Sequence, residues 1–143
     1  MATRDDPPPR DPPGAPVDVL VVEDSIESLH AIVEFLREEG FGAVGAVNGD
    51  VALAVLRARM RPSLILLDLR MPAMDGWEFC RAVAAEPELR DLPITVLSAV
   101  AAPAHELPER HNNAGYLMKP VDFDALVAKV REHCIPAKNL RAR

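Results

Sequence analysis

Three acids, a serine and a lysine each stand just past a short apolar run. Glu23 and Asp24 follow residues 19–22, Asp68 follows 64–67, Ser98 follows 94–97 and Lys119 follows 116–118. If these runs are neighbouring strands of one parallel sheet, all five side chains share its C-terminal edge. Two ionised carboxylates about 5 Å apart repel by roughly 3 kcal/mol at an effective dielectric of 20. Such a cluster persists where a cation sits among the acids or where function demands it. All-oxygen donors suit Mg²⁺, which takes one or two carboxylates, keeps several waters and binds phosphate oxygens. No His or Cys occupies these positions, which argues against zinc. A carboxylate beside Mg²⁺ can attack a phosphoryl group and form an acyl phosphate. Lys119 would then pair with one phosphoryl oxygen and the Ser98 hydroxyl would donate to another. Asp68 is the best nucleophile candidate, because its strand falls mid-chain between the acidic pair and the Ser and Lys. Taken singly, each residue has a plainer account: a helix cap for Asp24 or Asp68, a turn for Ser98, a surface charge for Lys119.

The elements that must position these residues alternate. Residues 17–22 form a valine-rich run too short for a helix and read as a buried strand. A helix follows with Ile26, Leu29, Val33 and Leu36 on one face and Gly40 at its end. A strand near 43–47 precedes a helix over about 50–59 carrying Ala52, Val55 and Leu56, and residues 64–67 form the third strand. Asp75 is placed to cap a helix that runs to about Glu86, where Pro87 stops it. Residues 94–97 and 116–118 supply the fourth and fifth strands. The last helix starts at Asp122, with Phe123, Leu126, Val127 and Val130 at helical spacing. Continuous rather than alternating apolar runs mean that both sheet faces are covered. The fold class is α/β: a doubly wound, five-stranded parallel sheet of flavodoxin-like strand order 2-1-3-4-5 with helices on both faces. The weakest element is a fourth helix between Ser98 and Ala114, where Pro108 would break an interior hydrogen bond at a cost of roughly 3 kcal/mol.

The remaining composition narrows the function classes. The chain has 143 residues, enough for one domain, with a net charge of −6 and no basic stripe of the kind that marks a direct nucleic-acid binder. No run approaches the roughly 20 apolar residues of a membrane span. Six of the 14 prolines fall in residues 1–16, which read as a disordered, extended arm. The folded unit is expected over 17–134, and residues 135–143 form a basic tail. Cys80 and Cys134 match no metal or redox spacing. With no signal segment at the N-terminus, reduced thiols in the cytoplasm are the expectation.

The stretches Val21-Val22-Glu23-Asp24, Leu67-Asp68-Leu69-Arg70-Met71-Pro72-Ala73-Met74-Asp75-Gly76, Leu97-Ser98-Ala99 and Gly115-Tyr116-Leu117-Met118-Lys119-Pro120 resemble the receiver domain of two-component response regulators. The D-x-x-M-P-x-M-D-G run with a distant K-P is the specific part. The resemblance implies that Asp68 accepts a phosphoryl group from a histidine kinase or phosphotransfer protein. It also implies that Asp24, Asp68 and the backbone carbonyl of Arg70 ligate Mg²⁺, with Glu23 assisting through water. Ser98 would move toward the phosphate, Tyr116 would swing between outward and inward positions, and Lys119-Pro120 would be a cis peptide. Arg70 and Val100 match positions that tune hydrolysis of the acyl phosphate, and their bulk points to slow self-hydrolysis. The activity implied is limited to the protein's own phosphorylation and dephosphorylation, switching contacts with a downstream protein target. A dimer through the face of the fourth helix, fifth strand and last helix is in keeping with the family. Asn112-Asn113 replaces the small Gly-Ala pair usual before the fifth strand, and Asn tolerates the left-handed backbone such a turn needs.

Rival readings are weaker. Gly40-Phe41-Gly42-Ala43-Val44-Gly45 spells G-x-G-x-x-G, but it follows a helix and enters a strand, the reverse of a dinucleotide fingerprint. A Mg²⁺-dependent phosphohydrolase of the haloacid-dehalogenase type would carry D-x-D, and Asp68-Leu69-Arg70 lacks the second acid. A receiver-shaped interaction module that is never phosphorylated usually lacks one of the acids or the lysine, and all are present here. His30, His105, His111 and His133 show no ligand spacing. The chain stops soon after the last helix, so a single-domain regulator acting through protein contacts is expected.

Overall fold

The computed structural model describes residues 17–58, 60–68, 76–98 and 113–134. Five strands, β1 (Val19–Val22), β2 (Ala43–Ala46), β3 (Leu64–Asp68), β4 (Ile94–Ser98) and β5 (Asn113–Met118), pair in parallel in the order β2-β1-β3-β4-β5. Four described helices intervene: α1 (Ile26–Glu38), α2 (Gly49–Arg57), α3 (Gly76–Ala85) and α4 (Phe123–Arg131). The α/β class is as the apolar runs indicate, and the strand order is the expected 2-1-3-4-5. The proline-rich segment, the segment between β4 and β5 with Pro108, and the basic tail lie outside the described residues.

Period-two alternation divides the strand residues between two cores. Leu20, Val22, Ile65, Leu67, Ile94 and Val96 face α2 and α3, packing on Ala52, Leu53, Leu56, Phe79, Cys80 and Val83. Val19, Val21, Leu64, Leu66 and Leu97 face α1 and α4, packing on Leu29, Ile32, Val33, Leu36, Leu126 and Val130. With both faces covered, β1 and β3 carry no exposed residue, as a parallel sheet requires. At roughly 1.5–3 kcal/mol per fully buried large aliphatic side chain, these two layers are the main driving force of the fold.

Local signals set the element ends. Ser25, not Asp24, caps α1: its Oγ accepts the Ser28 N–H at 3.3 Å, which leaves the Asp24 carboxylate free of that duty. Asn48 caps α2 through the Val51 N–H at 2.8 Å. Asp122 caps α4, as its position before the apolar repeat indicates. Gly40 ends α1 at φ 101°, a conformation that Cβ penalises. Gly45 serves another purpose, since a Cβ there would stand 2.8 Å from Leu29 Cδ1; the missing side chain lets α1 lie close on β2. The glycine-rich hexapeptide is thus a helix stop and a packing contact.

Asn112 lies outside the described residues, and Asn113 is the first residue of β5. A left-handed residue does occur within that strand: Gly115, at φ 97°. Here the register slips between Ile94/Val96 and Asn113/Tyr116, a bulge that glycine accommodates. Phe123, placed on the apolar face by spacing, is half-exposed and stacks on Phe35 with ring centroids 4.4 Å apart. Its position at the first turn puts it at the rim rather than under the sheet.

Candidate functional site

The parallel strands end together, and the residues at their ends meet. Val22 and Leu67 are register partners, as are Asp68 and Leu97, so Glu23, Asp24 and Asp68 leave neighbouring strands side by side. Carboxylate oxygens of these three residues all lie within 4.8 Å of one another. Lys119 arrives from the end of β5 and reaches over. Its Nζ donates to Glu23 Oε1 at 2.6 Å and to Asp68 Oδ2 at 3.4 Å. Ser98 is the last residue of β4 and pairs in register with Met118, so its backbone lies on the same edge. Tyr116 lies within β5. Pro120 follows Lys119 through a cis peptide bond, as the resemblance implied. Arg70 and Val100 lie outside the described residues.

Burial makes the acids unequal. Glu23 is 1% exposed and Asp68 is 6% exposed, while Asp24 opens to solvent. Burial raises the Glu23 pKa, as does the negative charge of Asp68, while the Lys119 hydrogen bond and the Ser25 N–H on its Oε2 at 3.2 Å pull the other way. For Lys119, burial works against the charged form, but the hydrogen bond to Glu23 and the charges of Asp68 and Glu23 outweigh it and raise its pKa. The lysine therefore stands as an ammonium among carboxylates.

Three carboxylates against one ammonium leave the pocket with surplus negative charge, and among the described residues every metal-ligating donor in it is oxygen. That donor set fits a hard divalent cation of the Mg²⁺ kind, held by one or two carboxylates with water completing the shell. It does not fit zinc, which prefers nitrogen and sulfur.

A cleft of about 210 Å³ opens beside the acids, lined by Glu23, Lys119, Ser28, Ile32, Val121 and Phe123 among others. Sequence reasoning named Phe123 only for its helical spacing and did not name Ser28, Ile32 or Val121. Ile32 and Phe123 lie on apolar helix stripes, so nothing in their spacing marks them as a wall.

The comparisons with known proteins bear on this geometry. The sequence profile described as "Response regulator receiver domain" matches residues 19–131. The chain belongs to the response regulator receiver family. It is 33% identical to the response regulator PleD of Caulobacter vibrioides over 114 residues, which cover 79% of this chain but 25% of that protein. The matched region is thus a quarter of that longer relative. Among solved structures it is similar to a response regulator receiver protein from Pseudomonas putida, with 31% identity and a TM-score of 0.74 over 82% of this chain and 98% of that one. It is also similar to the response regulator TrrA from Thermotoga maritima, solved in complex with Mg²⁺ and BeF, with 28% identity and a TM-score of 0.71 over 82% and 99% of the two chains. Receiver domains are components of two-component systems. Among the described residues, no helix is long and apolar enough to cross a membrane.

Proposed function

We propose that this receiver domain, over residues 17–134, accepts a phosphoryl group on Asp68 from a phosphohistidine donor, a histidine kinase or phosphotransfer protein, in the cytoplasm. The observation that carries the reading is Lys119 Nζ bridging Glu23 and Asp68, two acids 45 residues apart in sequence, on the sheet edge where Asp24 completes an oxygen-only pocket.

The chemistry follows from the residues. Asp68 sits at the end of the central strand β3, fixed by ladder bonds, with its carboxylate turned into the pocket. One of its oxygens attacks the phosphorus; the P–N bond to the donor imidazole breaks, and the nitrogen keeps the electron pair. The product is an aspartyl phosphate. Charge that develops on the phosphoryl oxygens is met by the Lys119 ammonium, already within 3.4 Å of Asp68. Ser98 is the second donor in this reading. Asp24, Asp68 and the Arg70 carbonyl would hold Mg²⁺, with Glu23 acting through water, and the ion would offset charge on the attacking and transferred oxygens. The modified face then changes its contacts with a downstream protein, or with a second copy of the chain through the β5–α4 face.

The test is direct. With Mg²⁺ and acetyl phosphate, the wild-type protein should gain one phosphoryl group by intact mass, and Asp68→Asn should gain none. An unmodified wild type would overturn the reading and leave a receiver-shaped interaction module.

A further inference from the structure

Two of the acids, Glu23 and Asp24, sit in the short link between β1 and α1, which runs only from Glu23 to Ser25. Both ends of that link are tied. At one end the Glu23 N–H donates to the Ala46 carbonyl of β2 at 3.0 Å. At the other, Ser25 engages N–H, hydroxyl and carbonyl alike. Its N–H donates to Glu23 Oε2 at 3.2 Å, its Oγ accepts the Ser28 N–H at 3.3 Å, and its carbonyl accepts the Leu29 N–H at 2.8 Å. One residue therefore closes the first turn of α1 and holds an oxygen of a buried acid. The helix behind it is pinned to the sheet by Leu29, Ile32, Val33 and Leu36, so a capped first turn gives Ser25 a fixed place to stand.

We propose that Ser25 is a positioning residue of the metal pocket: its hydroxyl caps α1, and the cap fixes the N–H that orients Glu23 and the backbone that carries Asp24. This deepens the phosphoacceptor reading and rests on it. Asp24 is exposed and directly precedes Ser25, so its direction depends on the backbone on either side rather than on packing. Without the hydroxyl, the Ser28 N–H has no side-chain acceptor, and the first turn frays as a helix start with orphan donors does. Ser25 then leaves the extended backbone it holds as a cap, at φ −79° and ψ 113°, and the carboxylates of Glu23 and Asp24 drift relative to Asp68. A metal site registers such drift, because supporting groups that never touch the ion are worth roughly 10–100-fold in affinity. A second cap supplies the contrast. Asn48 holds the first turn of α2 through the Val51 N–H at 2.8 Å, and the link it closes, Val47 and Asn48, carries no acid.

Removing each cap in turn separates positioning from plain stability. Mg²⁺ affinity would be measured by calorimetry, and urea unfolding in metal-free buffer, for wild type, Ser25→Ala, Ser25→Thr and Asn48→Ala. Both alanine variants should unfold at lower urea than wild type, since each helix loses its cap. Only Ser25→Ala should weaken Mg²⁺, by about threefold to tenfold, at or below the low end for supporting groups because alanine keeps the N–H that holds Glu23. Ser25→Thr restores a capping hydroxyl and should bind within about twofold of wild type. Equal Mg²⁺ affinity in Ser25→Ala and wild type, a matching loss in Asn48→Ala, or a loss that Ser25→Thr does not restore overturns the positioning role alone. If Ser25→Ala does not fold, Ser25→Gly takes its place with the same expectation, since glycine at a cap removes the hydroxyl at little cost in stability. Failure of wild type to bind Mg²⁺ overturns the metal reading itself, and the role of Ser25 with it.

Discussion

At the edge where the strands begin, Asp18 turns its hydrogen bonds on the chain itself. Its carboxylate accepts the Gly42 N–H at 2.7 Å, and its carbonyl accepts the Ser63 and Leu64 N–H groups and the Cys134 thiol. At the edge where the strands end, Glu23, Asp24 and Asp68 crowd together and share one lysine between two of them. The same residue type therefore acts as a staple at one end of β1 and as unbalanced charge at the other. The contrast separates an acid that holds the fold from acids held by the fold for use. Backbone donors answer the Asp18 carboxylate as part of the fold itself, whereas Glu23 and Asp68 are answered by the end of one flexible side chain.

Three substitutions test that division. The largest effect belongs to Asp68→Asn, which should abolish phosphoryl incorporation from acetyl phosphate while leaving the circular dichroism spectrum unchanged. Asp24→Ala should weaken Mg²⁺ about tenfold or more, since even indirect supporting groups of a metal site are worth 10–100-fold; calorimetry reads it, and an unchanged affinity would remove Asp24 from the ligand set. Asp18→Ala should do the opposite. A hydrogen bond to a charged group contributes about 1.5–3 kcal/mol, so urea unfolding should show a loss of about 2 kcal/mol, with Mg²⁺ affinity unmoved. If Asp18→Ala weakened the metal or spared stability, the two ends would not differ as described.

The last effect concerns pH and is confined to alkaline solution. Burial, and secondarily the Asp18 charge, push the Cys134 thiol up to about 12 from an ordinary value of 9.0. The folded-state pKa lies above the unfolded one. Its contribution to stability is therefore complete below pH 9 and is lost as pH rises toward 12, because the unfolded thiol ionises first. Over that window wild type should lose up to about 1.4 kcal/mol per pH unit more than Cys134→Ala; parallel urea curves for the two proteins would contradict it.

Much of this arrangement can be read from residue order alone. Valine and leucine runs of four to six residues identify the parallel sheet, and the rule that its strands end on one edge brings Asp68 and Lys119 together before any coordinate is known. The sequence was silent where side chains choose between equivalent partners. Nothing in the spacing of Ser25 and Asp24 says which will cap α1, because both types accept an N–H equally well. Nothing says that Lys119 will lie nearer Glu23 than Asp68, since that depends on how deeply each acid is buried. The exposure of Phe123 was hidden for a related reason: helical periodicity fixes a face, but not whether the neighbouring layer extends far enough to cover its first turn. Asp18 was missed because a lone acid before a strand carries no pattern.

The Phe35–Phe123 stack has a bearing on the lysine four residues upstream. One end of the segment 119–122 is tied down by β5, the other by a ring seated on α1, so the backbone that carries Lys119 is short and anchored at both ends. A charge carried on such a leash samples a small volume. That restriction keeps a single positive group within reach of two acids at once.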